Sequence, residues 1–225
     1  MISVVMPTLN EAQALPGTLS ALLSQPGDYE VIVVDGGSRD RTCEIAESFG
    51  RVRVMHAPKG RANQMNAGAA VAQGEWLLFL HADTLLPEGA LLRLNAMEGD
   101  TSIQAGGFRH CFSGTDWRLR AISWLDNFRC ECSRVIYGDQ ALFVRRWLFQ
   151  AVGGFPAQPI LEDVAFCDRL LPHTRPVLLP SSVVTDARKF ITMGIGRSFL
   201  RVLLIILHVQ FRLPILPRVF FQDVR

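Results

Sequence analysis

"YEVIVVDGGSRDRT", residues 29–42, drives four apolar residues, Val31 to Val34, straight into Asp35, two glycines, Ser38 and Asp40. A continuous apolar run of this kind is a strand buried on both faces, as in parallel sheets covered by helices. Such a strand ending in acid, hydroxyl and glycine aims those groups at something. Asp35 suits ring N–H groups of a nucleobase, while Gly36 and Ser38 shape the turn beyond it. Ser38 and Asp40 suit equally the cap of the next helix.

The same alternation extends to either side. "ISVVMPTL" is an apolar run stopped by Pro7, and Leu15, Leu19, Leu22 and Leu23 then recur on one helical face. A helix is expected from about Asp40 with Ile45, Ala46 and Phe49 inward. "VRVMHA" reads as a third strand, "RANQMNAGAAVA" as a small-residue helix and "EWLLFLHAD" as a fourth strand. Strands alternating with helices predict an α/β chain with a mostly parallel, Rossmann-like sheet and helices on both faces. Ligands of such sheets bind beyond the carboxyl ends of the strands. Thr8, Asn10 and Glu11, then Asp35, then Asp83 fall at those ends. The second half is less regular: "QAGGFRHCF" and "ALFVRR" read as strands, Asp116 to about Cys130 and "LEDVAFCDRLL" as helices.

The bulk composition, 49% hydrophobic and 20% charged, is that of a globular protein. The net charge of +2 is unevenly spread. Residues 1–187 hold 16 basic and 20 acidic residues, and 188–225 hold seven basic residues and the single acid Asp223. The tail from Gly196 to Arg212 places Arg197, Arg201, His208 and Arg212 on one face of an apolar helix that Pro214 ends. Its uncharged core, Val202–Phe211, is far shorter than the ~20 residues that span a bilayer. It suits packing, a homodimer contact or a membrane interface. Five scattered cysteines are not a disulfide framework, and the C-x-C at Cys130 and Cys132 lacks the usual C-x-x-C spacing of structural zinc. The start, Met1 running directly into a strand, has no basic n-region, so a reducing, cytoplasmic location is expected. No nucleic-acid partner is indicated.

Three groups of residues can carry chemistry. Asp83, at the end of "LHAD", suits Mg²⁺ or Mn²⁺ shared with substrate phosphates. Glu162 and Asp163 are neighbouring acids at a helix start, where the dipole favours them. Only one of two successive helical side chains points into a given site, and that one can serve as a general base. Arg188 and Lys189 in "TDARKF" can meet phosphate.

Taken in order, "VVMPTLNEAQAL", "EVIVVDGGSRDRT", "GRANQMNAGAAVAQGEWLLFLHADT" and "LEDVAFCDRL" resemble the successive motifs of the family 2 glycosyltransferases of the GT-A fold. "YGDQALFVRR", "VGGFP", "TDARKF" and the closing "DVR" are similar to a bacterial subgroup named for association with radical-SAM and selenium-related proteins. The resemblance covers essentially the whole chain. It implies a GT-A catalytic domain over 1–190 and a helical tail over 191–225. It implies transfer of a sugar from a nucleoside-diphosphate sugar to an acceptor hydroxyl, with inversion and with Mn²⁺ or Mg²⁺. The implied roles are nucleotide binding for Pro7, Thr8, Glu11, Asp35, Gly36, Ser38, Arg61, His81 and Arg188, and sugar or acceptor binding for Asp139 and Gln140. They continue with metal binding for Asp83 and catalysis by Asp163 with Glu162 beside it. The acceptor is left open: the tail allows a lipid-linked one, at the inner face of the membrane, but does not require it. His81 stands where the family's D-x-D motif has its first acid, which removes a negative charge and leaves an imidazole able to bond ribose or ligate Mn²⁺.

Two rival functions are set apart by sequence. A nucleotidyltransferase carries a glycine- and arginine-rich loop where this chain has "PTLNEAQAL", and a dehydrogenase carries G-x-G-x-x-G after its first strand. A non-catalytic nucleotide-sugar-binding module differs from an enzyme only by lack of turnover.

Overall fold

The structure, a computed structural model, describes residues 1–158 and 161–210. Its first half follows the alternation: β1 (Ile2–Thr8), α1 (Leu15–Leu23), β2 (Tyr29–Asp35), α2 (Thr42–Ser48), β3 (Val52–His56), α3 (Arg61–Val71), β4 (Trp76–Phe79). Then come β5 (Thr84–Leu85), α4 (Ala90–Ala96), β6 (Ala105–Phe112), α5 (Trp117–Ser133), a 3-10 turn at Gly138–Gln140 and β7 (Phe143–Arg145). The described chain closes with α6 (Arg146–Ala151), α7 (Glu162–Leu170), β8 (Val177–Thr185), α8 (Arg188–Met193) and α9 (Ile195–Gln210).

All the strands join one eight-stranded sheet in the order β3-β2-β1-β4-β7-β6-β8-β5. The β3-β2-β1-β4 half is parallel, as the apolar runs predict. Beyond it β7 is antiparallel to both β4 and β6, β8 returns parallel to β6, and β5 is antiparallel to β8. The fold class expected from sequence holds, with a sheet more mixed than the first half alone indicates.

Successive residues of each apolar strand face opposite layers. Val4, Met6, Val31 and Val33 pack with Leu15, Leu19, Leu22, Leu91 and Leu94 on one side. Val5, Ile32 and Val34 pack with Ala62, Met65, Ala69, Phe149 and Phe166 on the other. Helix α3 approaches closest because its interface residues are small. A Cβ on Gly68 would lie 2.4 Å from Val5 Cγ1 and 3.0 Å from Val34 Cγ2. That glycine lets α3 seat directly over the strands whose ends form the site.

Three boundaries depart from the sequence reading. The fourth strand stops at Phe79, because the chain leaves the sheet after Leu80 N–H reaches Val5 O (3.0 Å), and His81–Asp83 form a turn. The strand expected in "ALFVRR" is confined to Phe143–Arg145, and Arg146 already begins α6. Strand β8 was not legible, since Pro180, Ser181 and Ser182 interrupt its apolar pattern. The pairing jumps from Phe108–Leu179 to Arg109–Ser182, which places Pro180 and Ser181 in the irregularity. In the tail, helix α9 forms as expected and packs against α5 and α8. The His208 side chain and residues 211–225, with Arg212 and Pro214, lie outside the described residues. No described helix is long and apolar enough to cross a membrane.

Replacing Gly68 by valine forces overlap with Val5 and Val34. A loss of about 2–3 kcal/mol is expected in urea unfolding, at the upper end of overpacking costs.

Candidate functional site

The carboxyl ends of β1 and β2 are tied together by a side chain. Gln64, buried on α3, donates from Nε2 to Thr8 O (2.7 Å) and to Val34 O (2.8 Å). Gly36 N–H donates to the same Thr8 carbonyl (2.9 Å), and a Cβ on Gly36 would sit 2.9 Å from the Gln64 amide. Past β1 the chain turns at Asn10, whose φ of 56° is left-handed. Asn10 N–H donates to Ser38 Oγ, and Asn10 Oδ1 accepts from Arg39 N–H (both 2.8 Å). Asp40 accepts from Ala12 N–H (3.1 Å) and from Thr42, so it caps α2 and pins the β1–α1 loop at once.

These ends enclose a cavity of about 400 Å³ lined by Pro7, Thr8, Glu11, Arg61, His81 and Asp83 among others. Six residues that sequence reading set in the nucleotide and metal sites therefore share one wall. Lys59 and Gln64 also line it and were not singled out. Lys59 follows Pro58 in an exposed turn and had no pattern to mark it. Gln64 sits on the inward face of α3, where a buried amide needs partners and hence signals a bracing role.

Asp83 is fixed from two sides. Thr18 Oγ1 donates to Ala82 O (2.6 Å), and Asp186 N–H donates to Asp83 O (3.0 Å). The β5–β8 pairing thus brings the residue after β8 beside the Asp83 turn. Asp186 in turn holds Arg188, accepting from its N–H (2.9 Å) and its guanidinium. Arg188 lies near that edge but does not line the cavity. The Asp83 carboxylate and His81 imidazole on one wall form a hard-plus-borderline donor set that fits Mn²⁺ and, through Asp83, Mg²⁺.

The acidic pair lies behind Arg61. Arg61 Nε meets Glu162 Oε1 at 2.6 Å, with Glu162 buried. Burial raises the Glu162 carboxyl above its ordinary range, with Arg61 opposing and Asp163 adding to the rise. Asp163 is directed elsewhere, as neighbours on a helix must be: Oδ2 accepts from Gly138 N–H and Oδ1 from Val164 N–H, both 2.8 Å. A Cβ on Gly138 would fall 2.8 Å from His81 Nε2 and 3.5 Å from Asp163 Oδ2. Gly138 is therefore the hinge plate between the cavity wall and Asp163. Sequence reading passed over it because its requirement is a close approach.

Other expected site residues are placed differently. Asp35 is only 1% exposed and does not line the cavity. Its Oδ2 accepts from Gly37 and Ser38 N–H (2.8 Å each) and its Oδ1 from the Ser38 hydroxyl. A base contact by Asp35 requires these bonds to rearrange. Burial alone would raise the Asp35 carboxyl, but the Ser38 and Gly37 bonds outweigh it and hold it below its ordinary value of 3.8. The nearby Cys43 thiol is pushed up to about 11, chiefly by burial and then by Asp35, and so stays neutral. Gln140 is fully buried, and its Oε1 accepts from Tyr137 N–H (3.0 Å). In this structure it braces the 138–140 turn. Asp139 on the same turn faces His110, with His110 Nε2 3.9 Å from its Oδ2.

Residues 3–149 match the family model described as Glycosyl transferase family 2. A PGL/p-HBAD biosynthesis glycosyltransferase of Mycobacterium tuberculosis is 37% identical over 166 residues, 69% of this chain and 63% of that protein. The chain thus spans less than two thirds of the length of that relative. Poly(ribitol-phosphate) beta-N-acetylglucosaminyltransferase TarP of Staphylococcus aureus is 35% identical over 99 residues, 40% of this chain and 30% of that protein. Two solved structures share the fold. S. aureus TarS 1-349 in complex with UDP-GlcNAc has a TM-score of 0.68 at 19% identity, covering 92% of this chain and 67% of that one. The mannosyltransferase PcManGT of Pyrobaculum calidifontis, in complex with GDP-Man and Mn²⁺, has 0.67 at 22%, covering 98% and 66%.

Because the Asp35 carboxyl is held low in the folded chain, its bonds stabilise above pH 3.8 and that contribution is lost as pH falls through the depressed value. Asp35→Asn is expected to cost about 1.5–3 kcal/mol at pH 7, the range for bonds to a charged group. The gap from the parent chain should close progressively below 3.8 in denaturant titrations run across pH.

Proposed function

This chain belongs to glycosyl transferase family 2, and from that membership we propose that it moves a sugar from a nucleoside-diphosphate donor to an acceptor hydroxyl in one in-line displacement, inverting the anomeric carbon. One observation carries the reading: Arg61, His81 and Asp83 line a single cavity, and Gly138 joins that wall to Asp163.

Asp163 takes the acceptor proton. Its two backbone N–H bonds orient the carboxylate while leaving lone pairs to receive a hydroxyl. Glu162 acts as a positioning residue, holding the Arg61 guanidinium at the cavity wall by the 2.6 Å ion pair. Arg61 and Lys59 meet the diphosphate, for which a guanidinium offers paired donors. Thr8, Pro7 and Glu11 face the nucleoside side of the cavity. Asp83, with His81 beside it, would hold Mn²⁺ or Mg²⁺, an ion whose charge would offset that of the leaving diphosphate.

The acceptor is proposed to be lipid-linked, met at an anionic membrane surface. Trp117, Trp124 and Phe128 stand on one face of α5 with 74%, 67% and 52% of their surface exposed. Helix α9, packed beside α5, adds exposed Phe199, Leu200 and Arg197. Aromatic and basic side chains together suit the boundary between headgroups and acyl chains.

Asp163→Asn should lower transfer by about 10²–10⁴-fold, the usual share of a general base. Titration of the nucleoside diphosphate should stay within a few-fold of the parent chain; retained turnover would remove Asp163 from the role. Replacing Trp124 and Phe128 together by glutamate should weaken co-sedimentation with anionic phospholipid vesicles at least about tenfold, or ~1.4 kcal/mol. Unchanged sedimentation would leave the aromatic face without a membrane role.

A further inference from the structure

Away from the cavity, three acid and imidazole side chains from separate elements meet inside the protein. His110 lies on β6, Asp126 on α5 and Asp139 on the 138–140 turn. One candidate donor atom from each lies within 4.8 Å of the other two. His110 is 2% exposed, and neither Nδ1 nor Nε2 has a hydrogen-bond partner. Asp126, 6% exposed, spends Oδ1 on Arg129 at 2.9–3.0 Å and leaves Oδ2 without a partner. Asp139 Oδ1 is buried and unpartnered too.

Buried polar atoms are nearly always satisfied, and three neighbouring side chains that each leave a buried polar atom without a partner call for a group that accepts lone pairs. A protonated His110 would answer Asp139 at 3.9 Å only beyond hydrogen-bond reach. Asn127 Oδ1 accepts from the His110 backbone N–H (2.8 Å) and Asn127 Nδ2 donates to the His110 carbonyl (2.9 Å), fixing the main chain, while the Phe112 ring stands edge-on to the imidazole at 4.4 Å. Arg129 balances one of the two acid charges, so the cluster with neutral His110 carries about one net negative charge.

We propose that His110, Asp126 and Asp139 bind a divalent transition-metal ion of the zinc class, at a structural site distinct from the His81–Asp83 wall. One imidazole nitrogen and two carboxylate oxygens are ligands such ions take, leaving a further position for water. Ligands ~2.1 Å from a tetrahedral ion lie about 3.4 Å apart, so closing on the ion needs only a modest contraction of the cluster. The half-exposed Asp139 gives the entry path. An ion here clamps β6, α5 and the 138–140 turn to one another.

The test is titration of the metal-stripped full-length chain with Co²⁺ and Zn²⁺ in the absence of nucleotide, read by visible absorption, bound-metal stoichiometry and melting temperature. The Asp83→Asn chain should still take up one ion, show Co²⁺ ligand-field bands without a thiolate charge-transfer band, and melt higher with Zn²⁺. His110→Ala and Asp139→Asn, each placed in the Asp83→Asn chain, should lose that ion and that shift. Asp139 is partly exposed, so its variant decides the matter if the His110 variant does not fold. No uptake by Asp83→Asn, uptake that survives Asp139→Asn, or a thiolate band that puts the ion on the cysteines would each overturn the site.

Discussion

The Thr8 carbonyl is the point on which the cavity depends. It accepts from Gly36 N–H and from Gln64 Nε2, while the same amide reaches Val34 O, so one buried side chain closes the ends of β1 and β2. In water the strand ends would be satisfied by solvent. Here Gly36 and Gln64 satisfy them internally, which keeps the backbone dry where the cavity begins. Gly68 makes this geometry reachable, because α3 must lie close for Gln64 to bridge both carbonyls.

Electrostatics then links the parallel half of the sheet to the irregular half. Arg61 begins α3 and Glu162 begins α7, just over a hundred residues apart in the chain, yet their contact is 2.6 Å. Breaking the pair from the Arg61 side would strand a buried carboxylate, the expensive direction for such a pair. Burial raises the Glu162 carboxyl, and the Arg61 guanidinium opposes that rise. The pair ties the start of α7 to the cavity wall, and with it the carboxylate of Asp163.

What could be read from sequence follows the physics of each signal. Continuous apolar runs announced β1, β2 and β4, because a strand buried on both faces has no polar alternation to confuse it. Thr8, Glu11 and Asp83 were legible as site residues since they fall at the ends of those runs, while Pro7, Arg61 and His81 followed from the family resemblance, and the structure gathers all six at one cavity. Asp35 looked the same from sequence, yet its carboxylate is turned into its own loop. A strand-end acid and a turn-forming acid share one pattern, and only the following glycine and serine N–H groups tell them apart. Strand β8 and Gly138 escaped for opposite reasons. The first is broken by Pro180 at an irregular pairing, and the second matters through a contact with His81, more than fifty residues away.

His81 in place of an acid is consistent with the charge around it. Asp83 shares its wall, and Glu162 and Asp163 stand close behind Arg61 and Gly138. Another carboxylate at 81 would add repulsion among groups already partly buried, each raising its neighbour's cost of ionisation. An imidazole removes that charge and keeps a lone pair for a metal or a ribose hydroxyl. It also explains why residue 138 has no side chain: the ring edge occupies the space that any Cβ would take, 2.8 Å from Nε2. The imidazole at 81 and the glycine at 138 are thus one solution, in which a flat ring reaches the wall only where the facing backbone is bare.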